Sequence, residues 1–159
     1  AGIERFPQYH FDMVRLGIGL HGISATHANL QPVSSFKTYI SSIRNVPTDQ
    51  SIGYGRKSYT TRPSRIAVIP VGYADGLNRH LSNRVGNVFI KGKRVPIIGN
   101  ICMDTCMIDV TDTNATIGDE VEIFGKHILV TELSEQLGTI PYEILTGISH
   151  RVKRVYYKE

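Results

Sequence analysis

The feature that most constrains this chain is a series of short apolar runs, each closed by turn residues, that begins at Ser34 and lasts to Phe124. The run at 65–72 (RIAVIPVG) is apolar almost throughout, which predicts a strand buried on both faces, with Pro70 marking a bulge or an edge. Residues 36–46 alternate in part and would place Phe36, Thr38, Ile40 and Ser42 on one face. Residues 88–90 and 95–98 flank a Lys91-Gly92-Lys93 turn and predict a hairpin. Residues 101–110 predict another strand, with Met103 and Asp104 on opposite faces, and 118–124 and 128–130 predict two more. The end differs. Thr131-Glu132-Leu133-Ser134 opens a helix that Gly138 stops, Pro141 starts a second with Thr139 as its cap, and 151–157 alternate as a closing strand. The expected architecture is mainly β: antiparallel and barrel-like, with one or two short helices near the C-terminus.

With 159 residues, 41% hydrophobic and 20% charged, the chain has the proportions of an ordinary globular domain and room for part of a second. No apolar run approaches the ~20 residues of a membrane-spanning helix, so no membrane partner is expected. Ala1 is not an initiator Met and opens no signal-peptide pattern; the expectation is a processed piece of a larger cytoplasmic protein. Residues 1–12 read as irregular and 13–22 as the last strand of something larger. Residues 23–33, rich in Ser, Thr, His, Asn and Pro, read as a linker, and 34–159 as the β domain. Cys102 and Cys106, on one strand, would lie about 13 Å apart at ~3.3 Å per residue, beyond disulfide reach, and read as reduced thiols. A net charge of +4 admits phosphates, carboxylates or nucleic acid as partners and selects none.

Tyrosines carry the chemistry. Tyr54 stands between Gly53 and Gly55 with Arg56 and Lys57 beside it, Tyr73 follows Gly72, and Tyr142 opens the second short helix. Such places face a ligand more readily than a core. A phenol titrates near ~10, so a base acting near neutrality needs positive neighbours, and Arg56 and Lys57 are candidates. Arg15, inside an apolar run, must be paired or reach a ligand. Gly17-Ile18-Gly19 offers bare backbone N–H groups to an anion such as a phosphate. There is no nucleophile elbow and no nucleotide P-loop, and the six His form no metal-ligand pair at helical spacing, so no metal is expected. The residues alone leave three classes open: an acid/base enzyme, a basic β-barrel that stacks nucleic acid on its tyrosines, and a structural oligomerisation module. The glycine-flanked corners of Tyr54 and Tyr73 weigh against stacking, which uses open strand faces.

MVRLGIGLHG at 13–22, GYG at 53–55, VGYADG at 71–76, PIIGNICMD at 96–104, GDEV at 118–121, YEILT at 142–146 and Arg151-Val152 follow one another in order. Together they closely resemble the C-terminal part of bacterial alanine racemases, over almost the whole chain. The resemblance implies a pyridoxal 5'-phosphate enzyme with an N-terminal (β/α)8 barrel, of which residues 1–22 are a remnant, and a C-terminal β domain. It also implies a head-to-tail homodimer in which each β domain completes its partner's site, and interconversion of L- and D-alanine for peptidoglycan synthesis. Tyr54 would be the base opposite a Schiff-base lysine that this chain lacks, so the isolated chain is expected to be inactive. By the same resemblance Arg15 would bond the pyridine nitrogen, Gly17 and Ile18 would donate to the cofactor phosphate, and Tyr142 would contact it. Tyr73 and Arg79 would line the substrate entrance, and Met103 and Asp104 would lie near the substrate carboxylate. Nucleic acid is not an implied partner. There are two departures: Gly53 replaces a more usual serine, and Asn100 stands where many members have an arginine at the entrance. Asn100 is expected to alter the entrance electrostatics, and the glycines beside Tyr54 to give it slack to reach another chain.

Overall fold

Among the described residues the apolar segments form nine strands. They are β1 (Phe36–Tyr39), β2 (Ser42–Val46), β3 (Ser51–Ile52), β4 (Ser58–Tyr59), β5 (Ser64–Ile69), β6 (Asn87–Ile90), β7 (Lys93–Ile98), β8 (Cys106–Asp109) and β9 (Glu120–Phe124). Among the described residues three short helices, α1 (Gly2–Arg5), α2 (Val130–Leu137) and α3 (Pro141–Thr146), flank them. The computed structural model describes residues 2–24, 26 and 30–157. Seven strands make one antiparallel sheet in the order β1-β9-β6-β7-β8-β5-β2, and β3 and β4 form a separate hairpin.

The two ends of that sheet are halves of one bent strand. Ile40 donates its N–H to the Asp119 carbonyl, on the β9 side, while the next residue, Ser41, donates to Val68 on β5. The ladder therefore changes partner within one step, and the sheet curls round into a barrel-like form. A bulge between Phe36 and Lys37 sharpens the bend on the β9 side. β7 makes the opposite corner, with residues 93–96 pairing with β6 and Ile97 and Ile98 pairing with β8.

Period-two alternation fills the interior. Val88 and Ile90 of β6, Ile97 of β7, Ile108 of β8 and Val121 of β9 are fully or almost fully buried and share one core with Ile40. β5 is buried on both faces, as its continuous apolar run requires. Ala67 and Ile69 join that core, whereas Ile66 joins a second, smaller cluster with Ile52 and Ile98, packed by Val46 and Met107. The outer cluster fastens the β3–β4 hairpin, and so the turn that carries Tyr54, to the barrel.

Several local expectations are corrected. Residues 101–105 are a loop before β8: Cys102 donates its N–H to the Thr105 carbonyl, and the Cys102 and Met103 carbonyls accept from Tyr73 and Ala74 instead of from a ladder. Residues 13–22 contain no strand but a 3-10 turn at Ile18–His21, stopped by Gly22 at φ 72°. Residues 128–130 form no strand, because Val130 already begins α2. Residues 153–157 are irregular, and Arg154 donates to the carbonyls of Ile148, Ser149 and Val152, folding the chain back instead of extending it. α2 ends at Gly138 in the left-handed conformation, as read. Ile140, not Thr139, caps α3, and the Thr139 hydroxyl donates to the Glu143 carboxylate. Four residues of the expected linker, Ala25, His27, Ala28 and Asn29, lie outside the described residues. Both cysteines are free thiols; burial, aided by Cys102, pushes the Cys106 thiol up to about 12. No helix among the described residues is long and apolar enough to cross a membrane.

Candidate active site

Tyr54 begins a 3-10 turn, Tyr54–Arg56, that links β3 to β4, and it is 78% exposed. The flanking glycines hold left-handed backbone, φ 73° at Gly53 and φ 77° at Gly55. They are not slack. A Cβ on Gly53 would come within 3.0 Å of the Met107 methyl carbon, and the Gly53 position also faces the backbone of Gly99 and Asn100. Gly99, itself at φ 72°, presses on the Ile52 carbonyl, where a Cβ would sit 2.9 Å from the oxygen. Two glycine backbones thus meet at the root of the turn, a close approach that side chains would block.

Asn100 holds the Tyr54 turn from within the domain. It is 9% exposed, and its amide Nδ2 donates to the Tyr54 carbonyl at 2.7 Å. Its Oδ1 accepts from Asn83 Nδ2 at 3.0 Å, the Asn83 Oδ1 accepts from the Ser58 hydroxyl at 2.7 Å, and Ser58 Oγ accepts from the Gly99 N–H at 3.2 Å. Sequence reading singled out Asn100 only as a departure from the family pattern. The polar set Ser58, Asn83 and Asn100 is scattered along the chain and carries no local signal.

Tyr73 lies on a second 3-10 turn, Tyr73–Asp75, seated on the 101–105 loop. The Tyr73 and Ala74 N–H groups donate to the carbonyls of Cys102 and Met103, both at 3.0 Å. Gly72 is required there, since a Cβ would meet both carbonyl oxygens at 2.3 Å. Asp75 accepts from the Gly72 N–H at 2.9 Å and from Arg151 Nε at 2.7 Å, while Arg151 Nη2 donates to Asp104 at 2.7 Å. One guanidinium thereby joins the C-terminal segment to the turns bearing Tyr73 and Met103, a role the sequence did not reveal. Burial pushes the Asp75 carboxyl up, but the Arg151 bond and charge and the Gly72 N–H outweigh it and hold the group below its ordinary range. Tyr73, Arg79, Met103 and Asp104 are all exposed, so the structure keeps four of the expected substrate residues at the surface and ties three of them into one unit.

A third group lies at α3. The Tyr142 hydroxyl accepts the Ile18 N–H at 2.7 Å across 124 positions of sequence, and a Cβ on Gly17 would come within 2.6 Å of that oxygen. Backbone N–H, phenol and bare glycine thus converge at one point. Arg15 is exposed and makes no hydrogen bond or ion pair among the described residues. With Ile3, Phe6, Tyr9, His10 and Val14 it borders an open recess of about 460 Å³. No described contact joins Tyr54 to Arg15, Gly17, Ile18 or Tyr142.

The class is a barrel-like antiparallel β domain that presents exposed functional side chains on its turns. The family profile described as "Alanine racemase, C-terminal domain" matches residues 33–156. Alanine racemase 2 of Caldanaerobacter subterraneus subsp. tengcongensis is 48% identical over 157 residues, covering 92% of this chain and 40% of the relative. Alanine racemase of Methanococcus maripaludis is 44% identical over 167 residues, covering 98% of this chain and 44% of the relative. Among solved structures, alanine racemase from Bartonella henselae with covalently bound pyridoxal phosphate superposes with a TM-score of 0.91 at 37% identity, covering 98% of this chain and 45% of that one. Alanine racemase from Clostridium difficile gives a TM-score of 0.92 at 38% identity, covering 98% and 43%. The chain belongs to the alanine racemase family and corresponds to its C-terminal domain. It spans less than half the length of these relatives.

Proposed function

We propose that this chain is the C-terminal part of a pyridoxal-phosphate-dependent alanine racemase that interconverts L- and D-alanine in the cytoplasm for peptidoglycan synthesis. In this reading residues 1–22 end an N-terminal barrel, 23–33 link, and 34–159 form the β domain of a head-to-tail homodimer. Tyr54 is then the proton donor and acceptor on one face of the alanine Cα, delivered to the partner subunit's site.

The observation that carries the reading is the exposure of Tyr54 on a fixed turn with no described contact to the Ile18–Tyr142 pair. A phenol facing outward from a turn whose backbone is held suits a site assembled with a second chain. The residues at α3 are of the kind that would hold the cofactor's phosphate: the Ile18 N–H already donates to the Tyr142 hydroxyl, whose own proton remains to be donated, and the bare Gly17 lets the phenol oxygen come close. Arg15 would face the pyridine nitrogen, and guanidinium, which keeps its proton, would leave that nitrogen unprotonated. Bound pyridoxal phosphate supplies a sink for the electron pair left at Cα. Tyr54 Oη takes the proton from one face or returns it there, and the opposite face belongs to a lysine of the barrel. Tyr73 and Arg79 guard the entrance, and Met103 and Asp104 border the substrate carboxylate. The isolated chain, with one base only, does not racemise alanine.

The test is the full-length enzyme with Tyr54→Phe. Exchange of the Cα proton is expected to fall about a hundredfold or more for one alanine enantiomer and far less for the other. Equal loss from both enantiomers defeats the assignment.

A further inference from the structure

We infer that Asn100 is the positioning residue of Tyr54, fixing the backbone from which the phenol projects; this rests on the reading of Tyr54 as a base. The hydrogen bonds around Asn100 run in one direction. They start at a group that can only donate, the Gly99 N–H, and end at one that can only accept, the Tyr54 carbonyl. Between them Ser58 accepts at 3.2 Å and donates at 2.7 Å, and Asn83 accepts from Ser58 and donates to Asn100 at 3.0 Å. Each amide is therefore oriented by its neighbour, and the Asn100 NH2 is left facing Tyr54.

The surrounding backbone is shaped for this contact. Asn83 takes left-handed backbone at φ 57°, which asparagine tolerates better than most residues, and its own N–H donates to the Gly99 carbonyl at 3.0 Å. Gly55 lies against the same amide, where a Cβ would sit 3.6 Å from Asn100 Nδ2. The Tyr54 side chain is exposed, so nothing around the ring holds it, and its aim is set where its backbone is held.

The test uses the full-length racemase loaded with cofactor and measures Cα-proton exchange separately for the two alanine enantiomers. Asn100→Ala is expected to slow exchange about tenfold on the face that Tyr54→Phe abolishes, as for loss of one hydrogen bond, and to leave the other face within about twofold. Asn100→Asp, which keeps the shape but not the donor, should lose at least as much. Ser58→Ala, one link further away, should lose about twofold to threefold on the same face and guards against a misfolded Asn100 variant. Adding Asn100→Ala to Tyr54→Phe should cause no further loss on that face, because the asparagine acts only through the tyrosine. Loss on both faces alike, or a full additional loss in the double variant, overturns the role of Asn100. If Tyr54→Phe itself slows both faces equally, the base reading fails instead, so the two failures are distinguishable.

Discussion

Residues 2–24 and the barrel use similar apolar residues to opposite ends. In the barrel, isoleucine and valine disappear into one core. In the N-terminal segment Tyr9, Phe11, Met13, Leu16 and Leu20 all stand exposed, Phe11 at 90%, and neither α1 nor the two following 3-10 turns buries a single residue. A set of large apolar side chains without cover marks a contact surface. The contrast teaches that apolar content fixes a fold only where the chain supplies an opposing face. For the first residues of this chain, the proposed assignment leaves that face to the remainder of an N-terminal barrel.

The contrast can be broken most directly by one truncation in each region. Ile108→Ala in the barrel should cost about 2–5 kcal/mol in urea unfolding of this chain, whereas Phe11→Ala should change it by no more than about 0.5 kcal/mol. Comparable losses would mean that residues 2–24 fold as part of the same core. A narrower probe is the link between the N-terminal segment and α3. In the full-length enzyme Gly17→Ala should displace the Tyr142 phenol and weaken pyridoxal-phosphate binding by about tenfold, while Gly19→Ala, with open space around its Cβ position, should not.

The smallest effect concerns the C-terminal segment, which is tied by charge where the N-terminal one is tied by a neutral bond. Asp75 titrates below its unfolded value of ~3.9, so its pairing with Arg151 stabilises fully above that pH and fades as pH falls through the folded value. The gap in urea midpoint between the wild-type chain and Asp75→Asn should therefore narrow between pH 7 and pH 3. A constant gap would show that the Asp75–Arg151 pair adds nothing through its charge.

Much of the fold was legible because alternation and turn chemistry agree locally. The hairpin of β6 and β7, the paired burial of β5 and the stop of α2 at Gly138 all follow from neighbouring residues. Errors came where a distant partner decided. Residues 101–105 alternate like the strand they precede, but their carbonyls serve the Tyr73 turn, nearly thirty positions upstream. Residues 151–157 alternate too, yet no edge receives them, and Arg154 turns them back on preceding carbonyls. The site showed the same division. Resemblance marked Tyr54, Tyr73 and Tyr142 because each sits in a short motif. The supports of Tyr54 escaped notice because Ser58, Asn83 and Asn100 are ordinary polar residues until the chain brings them together.

The bent strand at residues 36–46 has a consequence for how the domain folds. It is the first stave of the barrel in sequence; its second half soon meets β5, Ser42 pairing with Val68, but its first half has no sheet partner until β9 exists, where Phe36 pairs with Phe124. Closure must bring together residues separated by most of the domain before the ladder compensates for the lost chain freedom. Folding should consequently be slow, with a transition state governed by topology more than by local propensity. During synthesis the strand edges of a half-made barrel stay open until Phe124 has left the ribosome.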